Sequence, residues 1–248
     1  MNRTAESLPN RRQSVYDQSM HSESRMIVDA LLSAYRRGAF PMADSVNGPV
    51  GFYHAPVRGV FPMIDDDALG EFHVPRRLRR KLESNWFDLR CDTDFAGVVR
   101  GCAEPRIDDP DTWINREIQE WFQLLFDAGH AHSVEAWRHD PATGRDVLVG
   151  GIYGLAIGGA FCGESMFSRP RPRLSNGERD PLDGTDASKV CLVRLVEHLK
   201  RQGYVLFDTQ LLNPHLAQFG CVEISHDEYM ERLAWALEAP AAWGEFGN

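Results

Sequence analysis

No two cysteines in this sequence stand in a C-x-x-C spacing, and the five present (Cys91, Cys102, Cys162, Cys191 and Cys221) are an odd number in a chain of 248 residues. A chain of this length buries enough apolar surface to need neither a disulfide framework nor a structural zinc. Reduced thiols and a cytoplasmic location are therefore expected. Positive charge is also in short supply, with 27 Lys and Arg against 36 Asp and Glu and a net charge of −9. General attraction to nucleic acid or to an anionic membrane is thereby excluded, so any RNA contact has to be local. The first residues, 1–24, lack the apolar stretch of a secretory signal and read as a flexible tail. The longest uncharged run, 147–163, only reaches the lower edge of the roughly 17 to 25 residues a membrane span needs. It is dense in helix-weakening glycine and is flanked by Asp146 and Glu164 without aromatic-and-basic anchoring, so two buried strands turning at Gly158-Gly159 describe it better. No membrane association is expected, and no internal repeat is visible.

What is present is ordinary globular material, 43% hydrophobic and 25% charged, which excludes wholesale disorder. Ile27, Val28, Leu31, Leu32 and Tyr35 repeat at helical spacing up to Gly38, whereas residues 51–63 are too punctuated by Pro and Gly for a helix. Pro75 to Glu83 reads as a short basic helix, and Asp94 as the N-cap of a helix running to Cys102. Ile114, Ile118, Trp121, Phe122 and Leu125 form an apolar helical face that ends before Gly129, and His132 to Trp137 alternates as a strand does. Leu192, Leu195, Val196 and Leu199 define a helix closed by Gly203, ahead of the apolar strand Tyr204 to Phe207. Interleaved helices and strands predict an α+β fold with a mixed sheet covered by helices. The charged, proline-rich stretch from Arg169 to Asp186 breaks this economy and reads as a mobile surface loop beside a site.

A few polar residues stand where chemistry could happen. Glu164 ends the uncharged run, among Phe161, Met166 and Phe167, where a carboxylate is costly unless paired or used; a strand-end charge meeting solvent is the plain alternative. Asp208 and Gln210 lie two apart at the end of the strand Tyr204 to Phe207, so strand geometry puts both on one face together with Leu206. A carboxylate beside an amide can orient an amine or polarise a carbonyl, although two polar residues at a strand exit are also common. Gly163-Glu164-Ser165 opens like a nucleophile elbow, but Phe167 replaces its second glycine, which disfavours a serine hydrolase. His130-x-His132 has no third ligand at a recognisable spacing and reads as structural, so no metal site is expected. Arg76, Arg77, Arg79, Arg80 and Lys81 crowd one short helix, which suits either a phosphate grip or a solvated face.

Ordered matches along most of the chain resemble one family, the leucyl/phenylalanyl-tRNA–protein transferases. They run from Ala34-Tyr35-Arg36-Arg37-Gly38-Ala39-Phe40-Pro41 through Arg58-Gly59-Val60 and Thr112-Trp113-Ile114 to Gly129-His130-Ala131-His132-Ser133-Val134-Glu135-Ala136-Trp137. Phe161-Cys162-Gly163-Glu164-Ser165-Met166-Phe167-Ser168, Ser188-Lys189, Asp208-x-Gln210 and Phe219-Gly220 complete them. The resemblance implies a small N-terminal domain, 25–74 here, followed by a GNAT-like acyltransferase domain, 75–248. It also implies transfer of Leu, Phe or Met from the 3′ end of an aminoacyl-tRNA to proteins beginning with Arg or Lys, the product being a degradation signal. Position by position, Asp208 and Gln210 match the family's catalytic Asp-x-Gln and Glu164 its site carboxylate. Ile152, Phe161, Met166 and Leu192 match the apolar pocket for the transferred side chain, and Trp113 an aromatic near the tRNA 3′ end.

The chain departs from that pattern at Phe52-Tyr53-His54, where the family usually has Trp-Trp-Ser, so the adenine-stacking role there would pass to Tyr53. Arg169 to Asp186 looks like an insertion, and the family's glycine-rich N-terminal segment is absent before Met26. The ester of an aminoacyl-tRNA is already activated, so no cofactor is expected, and a monomer is the expected state. Another GNAT-fold acyltransferase would need an R/Q-x-x-G-x-G/A turn before a helix, which is missing. A non-catalytic aminoacyl-tRNA binding module would not need Glu164, Asp208 and Gln210 together.

Overall fold

Two side chains show how directly local chemistry sets the elements. The Asp94 carboxylate accepts from the Gly97 N–H at 2.9 Å, and the Asn115 side chain accepts from the Ile118 N–H at 2.9 Å, each satisfying an orphan donor at a helix start. The computed structural model describes residues 11–64, 69–105 and 112–247, with side chains from residue 22 onward.

The chain begins in α1 (Arg11–Arg36), followed by β1 (Phe40–Ala43), β2 (Val50–Tyr53) and β3 (Val57–Phe61). Next come α2 (Arg76–Glu83), β4 (Asp88–Cys91), α3 (Phe95–Ala103), α4 (Arg116–Asp127), β5 (Ala131–Asp140) and β6 (Arg145–Ile157). β7 (Ala160–Ser168), α5 (Ala187–Arg201), β8 (Leu206–Gln210), α6 (Pro214–Ala217), β9 (Val222–Ser225) and α7 (His226–Glu238) complete it. β1 and β2 form a separate hairpin, and the other strands form one seven-stranded sheet in the order β4-β5-β6-β7-β8-β3-β9. Every pairing in that sheet is antiparallel except β7 with β8, so the sheet is mixed, as expected. One face carries the apolar sides of α1, α3, α4 and α7, through residues such as Leu31, Val98, Phe122 and Leu233. The other carries α5 and α2, through Val193, Leu195, Val196 and Leu78.

Several expectations need correcting. Residues 11–24, read as tail, belong to α1, while residues 1–10 lie outside the described residues. β3 does not stay with the residues before it; it pairs with β8 on one side and β9 on the other, so part of the segment 25–74 is built into the main sheet. The strand read at Tyr204 to Phe207 begins at Leu206 and runs on to Gln210. The segment from Arg169 to Asp186, read as a mobile surface loop, is exposed from 172 to 178 but fastened at its ends. Asp183 accepts from the Arg171 and Thr185 N–H groups and from the Thr185 hydroxyl, Trp86 donates to the Asp183 carbonyl at 2.9 Å, and Lys81 donates to the Thr185 carbonyl. The Arg138 and Arg179 guanidinium carbons stand 3.7 and 3.3 Å from the centre of the Trp86 ring, so cation–π attraction adds to the fastening.

Candidate active site

The parallel pairing of β7 with β8 covers only Ala160 to Cys162, against Leu206 to Asp208. Beyond it the two strands part, and the register against β6 gives the cause. Gly163 faces Gly154 and Ser165 faces Tyr153, which leaves Glu164 as the extra residue of a β-bulge. A bulge bends its strand and re-aims the side chain it carries. Glu164 therefore does not mark the end of a strand, as expected from the sequence, but its bend. Gly163 is required at the bend because a Cβ there would stand 2.6 Å from the Phe207 ring.

Between the parted strands lies a cavity of about 960 Å³. Glu164, Ile152, Met166, Leu192 and Trp113, all singled out in the sequence, line it, together with Phe61, Phe207 and Thr209, which were not. Its walls mix apolar side chains with polar ones, among them two carboxyls, Glu104 and Glu164, the usual character of a small-molecule site. Glu164 accepts a 2.8 Å hydrogen bond from the Tyr35 hydroxyl and lies 3.4 Å from Gln210 Nε2. Burial pushes its pKa from 4.5 up to about 8, against the Tyr35 hydrogen bond and Arg58 and with the help of the Asp208 charge. At neutral pH the group is mostly protonated.

Asp208 is not on the cavity wall. Strand alternation sends Phe207 and Thr209 into the cavity and turns Asp208 to the other side of the sheet, where it is wholly buried. There Arg58 Nε donates to Oδ1 at 2.8 Å and Nη2 to Oδ2 at 2.7 Å, a bidentate pair with both side chains at 0% exposure. Tyr229 donates its hydroxyl to Asp208 Oδ2 at 3.1 Å, and Arg58 Nη1 donates to the Gly38 carbonyl at 2.7 Å. Burial works against the Arg58 charge, but the hydrogen bonds and charge of Asp208 more than offset it and raise its pKa. The same carboxylate accepts from the Gln210 N–H at 2.9 Å, and Gln210 has φ +57°. Asp208 thus pins the end of β8 in a left-handed turn that few side chains adopt unaided. Gln210 carries this anchoring on to Glu164.

Two expected pocket residues sit elsewhere. Phe161 is 0% exposed and packs its ring on Phe207 at 5.3 Å and on Trp243 at 5.7 Å, behind the wall and not in it. Tyr53, 39% exposed on the β1–β2 hairpin, donates to Asp44 at 2.7 Å and does not line the cavity. Its neighbour Phe52 is stacked on Trp121. His132 is bonded to Asp92 at 2.8 Å and stacked on Trp243. All five cysteines are free thiols, and no described helix is long and apolar enough to cross a membrane. Sequence reasoning missed Arg58, Tyr35 and Tyr229 as parts of the site. The one signal for Arg58 was a lone cation inside the apolar strand Val57–Phe61.

A buried carboxyl with a raised pKa on the wall of a cavity has the makings of an active site, and similarity to known proteins gives its class, that of the aminoacyl transferases. A family model described as leucyl/phenylalanyl-tRNA protein transferase matches residues 68–234, and a model of the N-terminal domain of the same transferase matches 27–56. The leucyl/phenylalanyl-tRNA–protein transferase of Paramagnetospirillum magneticum is 47% identical over 219 residues, covering 88% of this chain and 92% of that protein. The chain belongs to the leucyl/phenylalanyl-tRNA–protein transferase family.

Proposed function

We propose that this enzyme transfers Leu, Phe or Met from the 3′ end of an aminoacyl-tRNA to the N-terminal Arg or Lys of acceptor proteins, marking them for degradation. The observation that carries this reading is the position of Glu164, a carboxyl with a pKa near 8 on the wall of the cavity, close to the apolar side chains of Ile152, Met166, Leu192 and Phe207. An N-terminal amine titrates at about 7.7 to 8.0, so proton exchange between it and Glu164 is nearly balanced, the condition under which general base catalysis works best. In the proposed step the neutral amine attacks the ester carbonyl carbon. As the new C–N bond forms, the amine proton passes to the Glu164 carboxylate, and as the C–O bond to the terminal ribose breaks, the proton goes on to the leaving ribose oxygen.

Ile152, Met166, Leu192 and Phe207 would hold the transferred side chain, and Trp113 would stack on the terminal adenine, a contact that tolerates any base. Gln210 and Tyr35 fix the Glu164 carboxyl, and Asp208 with Arg58 acts one step further back as a positioning pair. The ester is already activated, so the step calls on no cofactor, and the enzyme acts as a monomer in the cytoplasm, where charged tRNA is found. The parting of parallel strands at the site supports the GNAT-like reading of the larger domain. The test is transfer of labelled Leu or Phe from charged tRNA to an Arg-starting peptide. Binding of the tRNA without transfer would make the chain a binding module instead.

A further inference from the structure

The connection from β7 to α5, residues 169–186, is longer than the about 12 to 15 residues beyond which an irregular segment inside a domain usually serves a function. It opens with Arg169-Pro170-Arg171-Pro172-Arg173. Proline fixes its own φ and holds the residue before it extended, so arginine recurs on every second residue of a stiff, extended run. Arg169 is used locally, in an ion pair with Glu104 and a 3.0 Å hydrogen bond to the Leu148 carbonyl, and Arg179 pairs with Asp183 at 3.5 Å. Arg171 and Arg173 are exposed, and no ion pair among the described residues involves either. Arg173 donates to the Gly177 carbonyl at 2.6 Å, a bond that leaves its charge uncompensated. The acids of the connection are engaged elsewhere: Asp186 with Lys189, Glu178 with the Asn176 amide and Asp180 with the Leu182 N–H.

Both ends of this run are tied to features already described. Pro170 lines the cavity together with Trp113, and Glu104, the partner of Arg169, lines it too. At the far end of the connection, Lys81 of α2 donates to the Thr185 carbonyl, so the helix that carries Arg76, Arg77 and Arg80 adjoins it. In a chain with a net charge of −9, cations without counter-charges beside one cavity are a local reversal of sign.

We propose that Arg171 and Arg173 hold phosphates of the single-stranded 3′ end of the charged tRNA, next to the terminal adenosine. This rests on the aminoacyl-transfer reading and adds to it a hold on the RNA outside the cavity. An RNA whose terminal adenosine is stacked on Trp113 has to leave the cavity over its rim. Pro170 belongs to that rim, and Arg171 and Arg173 follow it in the chain. The stiff run loses little freedom on binding, and contacts to phosphate carry no sequence information, so tRNAs charged with different amino acids are held alike.

The test compares the wild type with the double variant Arg171→Gln/Arg173→Gln, using three donors that carry the same amino acid and a saturating Arg-starting peptide. The donors are whole charged tRNA, a short aminoacylated oligonucleotide of the 3′ end, and 3′-aminoacyl-adenosine, which has no phosphate between nucleosides. With the first two, the log–log slope of donor KM against salt should flatten by about 0.7 for each phosphate no longer neutralised, up to about 1.4 for both, with kcat unchanged. With aminoacyl-adenosine nothing should change. If the wild type transfers but the slopes of the two proteins coincide, the phosphate hold is overturned and the transfer reading stands. A change with whole tRNA alone overturns the placement on the single-stranded end. A higher KM for the acceptor, with the donors unaffected, makes the connection an acceptor surface and overturns the proposal. If the wild type transfers from none of the donors, both readings fall.

Discussion

Replacing Asp208 by asparagine changes the side chain's shape very little but leaves the Arg58 guanidinium buried and without its counter-charge. In the native protein that guanidinium is at 0% exposure and spends two of its donors on Asp208, at 2.8 and 2.7 Å. Removing one partner of a sealed ion pair costs about 3 to 5 kcal/mol, because the remaining charge is left uncompensated. In a chain of this size each kcal/mol moves the melting temperature by about 2 to 4 °C, so Asp208→Asn is expected to melt about 6 to 20 °C lower. Replacing the whole pair by apolar side chains, in Arg58→Met/Asp208→Leu, removes both charges and should recover most of that loss. The double variant still lacks the acceptor that the Gln210 N–H uses at 2.9 Å, so the turn at the end of β8 is no longer held. Thermal unfolding of the variants, with transfer rates measured well below each melting temperature, separates the two effects. The double variant should be stable and slow, with kcat reduced more than tRNA or peptide affinity. An unchanged melting temperature for Asp208→Asn would mean that Arg58 reaches water. A fully active double variant would mean that Asp208 does not position Gln210.

Glu164→Gln gives a second prediction, with a sign fixed by linkage. The folded-state pKa lies near 8, above the 4.5 of the free side chain, so in the native protein Glu164 holds its proton through a window in which the unfolded chain has lost it. The wild type should therefore lose stability relative to Glu164→Gln between about pH 4.5 and 8, by up to about 1.4 kcal/mol per pH unit, levelling off above; denaturant titrations at several pH values check this, and parallel curves would refute it. The variant's kcat at saturating acceptor should also fall, because the amide cannot take the proton of the attacking amine. Phe161→Ala should destabilise by about 3 to 5 kcal/mol while lowering Leu and Phe transfer alike, because its ring supports Phe207 from behind the wall. Ile152→Ala, at the wall itself, should shift the ratio of Leu to Phe transfer in a competition assay. No ion pair among the described residues involves Arg76, Arg77 or Arg80, so replacing these three by Gln should flatten the salt dependence of tRNA affinity, by about 0.7 to 0.9 in log–log slope for each phosphate no longer neutralised. Transfer from a minimal 3′-aminoacyl-adenosine should be unaffected, and an unchanged slope would make α2 a solvated face.

What was legible in the sequence was local. The cap at Asp94, the turn at Gly158-Gly159 and the apolar faces of α4 and α5 follow from spacing alone, and the structure has each of them. Glu164 could be found because it interrupts an uncharged run. Its bulge could not, since nothing in Gly163-Glu164-Ser165 tells one extra residue from regular alternation, and in a strand one residue decides which side of the sheet is reached. The same parity misled the reading of Asp208: the shared face with Leu206 was correct, but that face is the one turned away from the cavity. Phe161 was assigned to the wall and stands behind it because Phe207, on the neighbouring strand, takes the place in front. Arg58, Tyr35 and Tyr229 became part of the site only through long-range pairing, which no local pattern encodes.

The place of β3 between β8 and β9 also bears on how the chain is made. Arg58 meets Asp208 across 150 positions of sequence, and β3 has no partner strand until β8 exists. On a ribosome, residues 57–61 emerge early and have to wait, as an unpaired apolar segment, until nearly all of the chain has been synthesised. The buried cation and its carboxylate then meet in one of the last events of folding, so a nascent chain cut short before residue 206 keeps β4 to β7 but lacks the β8 strand that pairs with β3 and completes the site. An incomplete copy of this enzyme can therefore transfer nothing, and its exposed β3 offers an early target for chaperones or proteases.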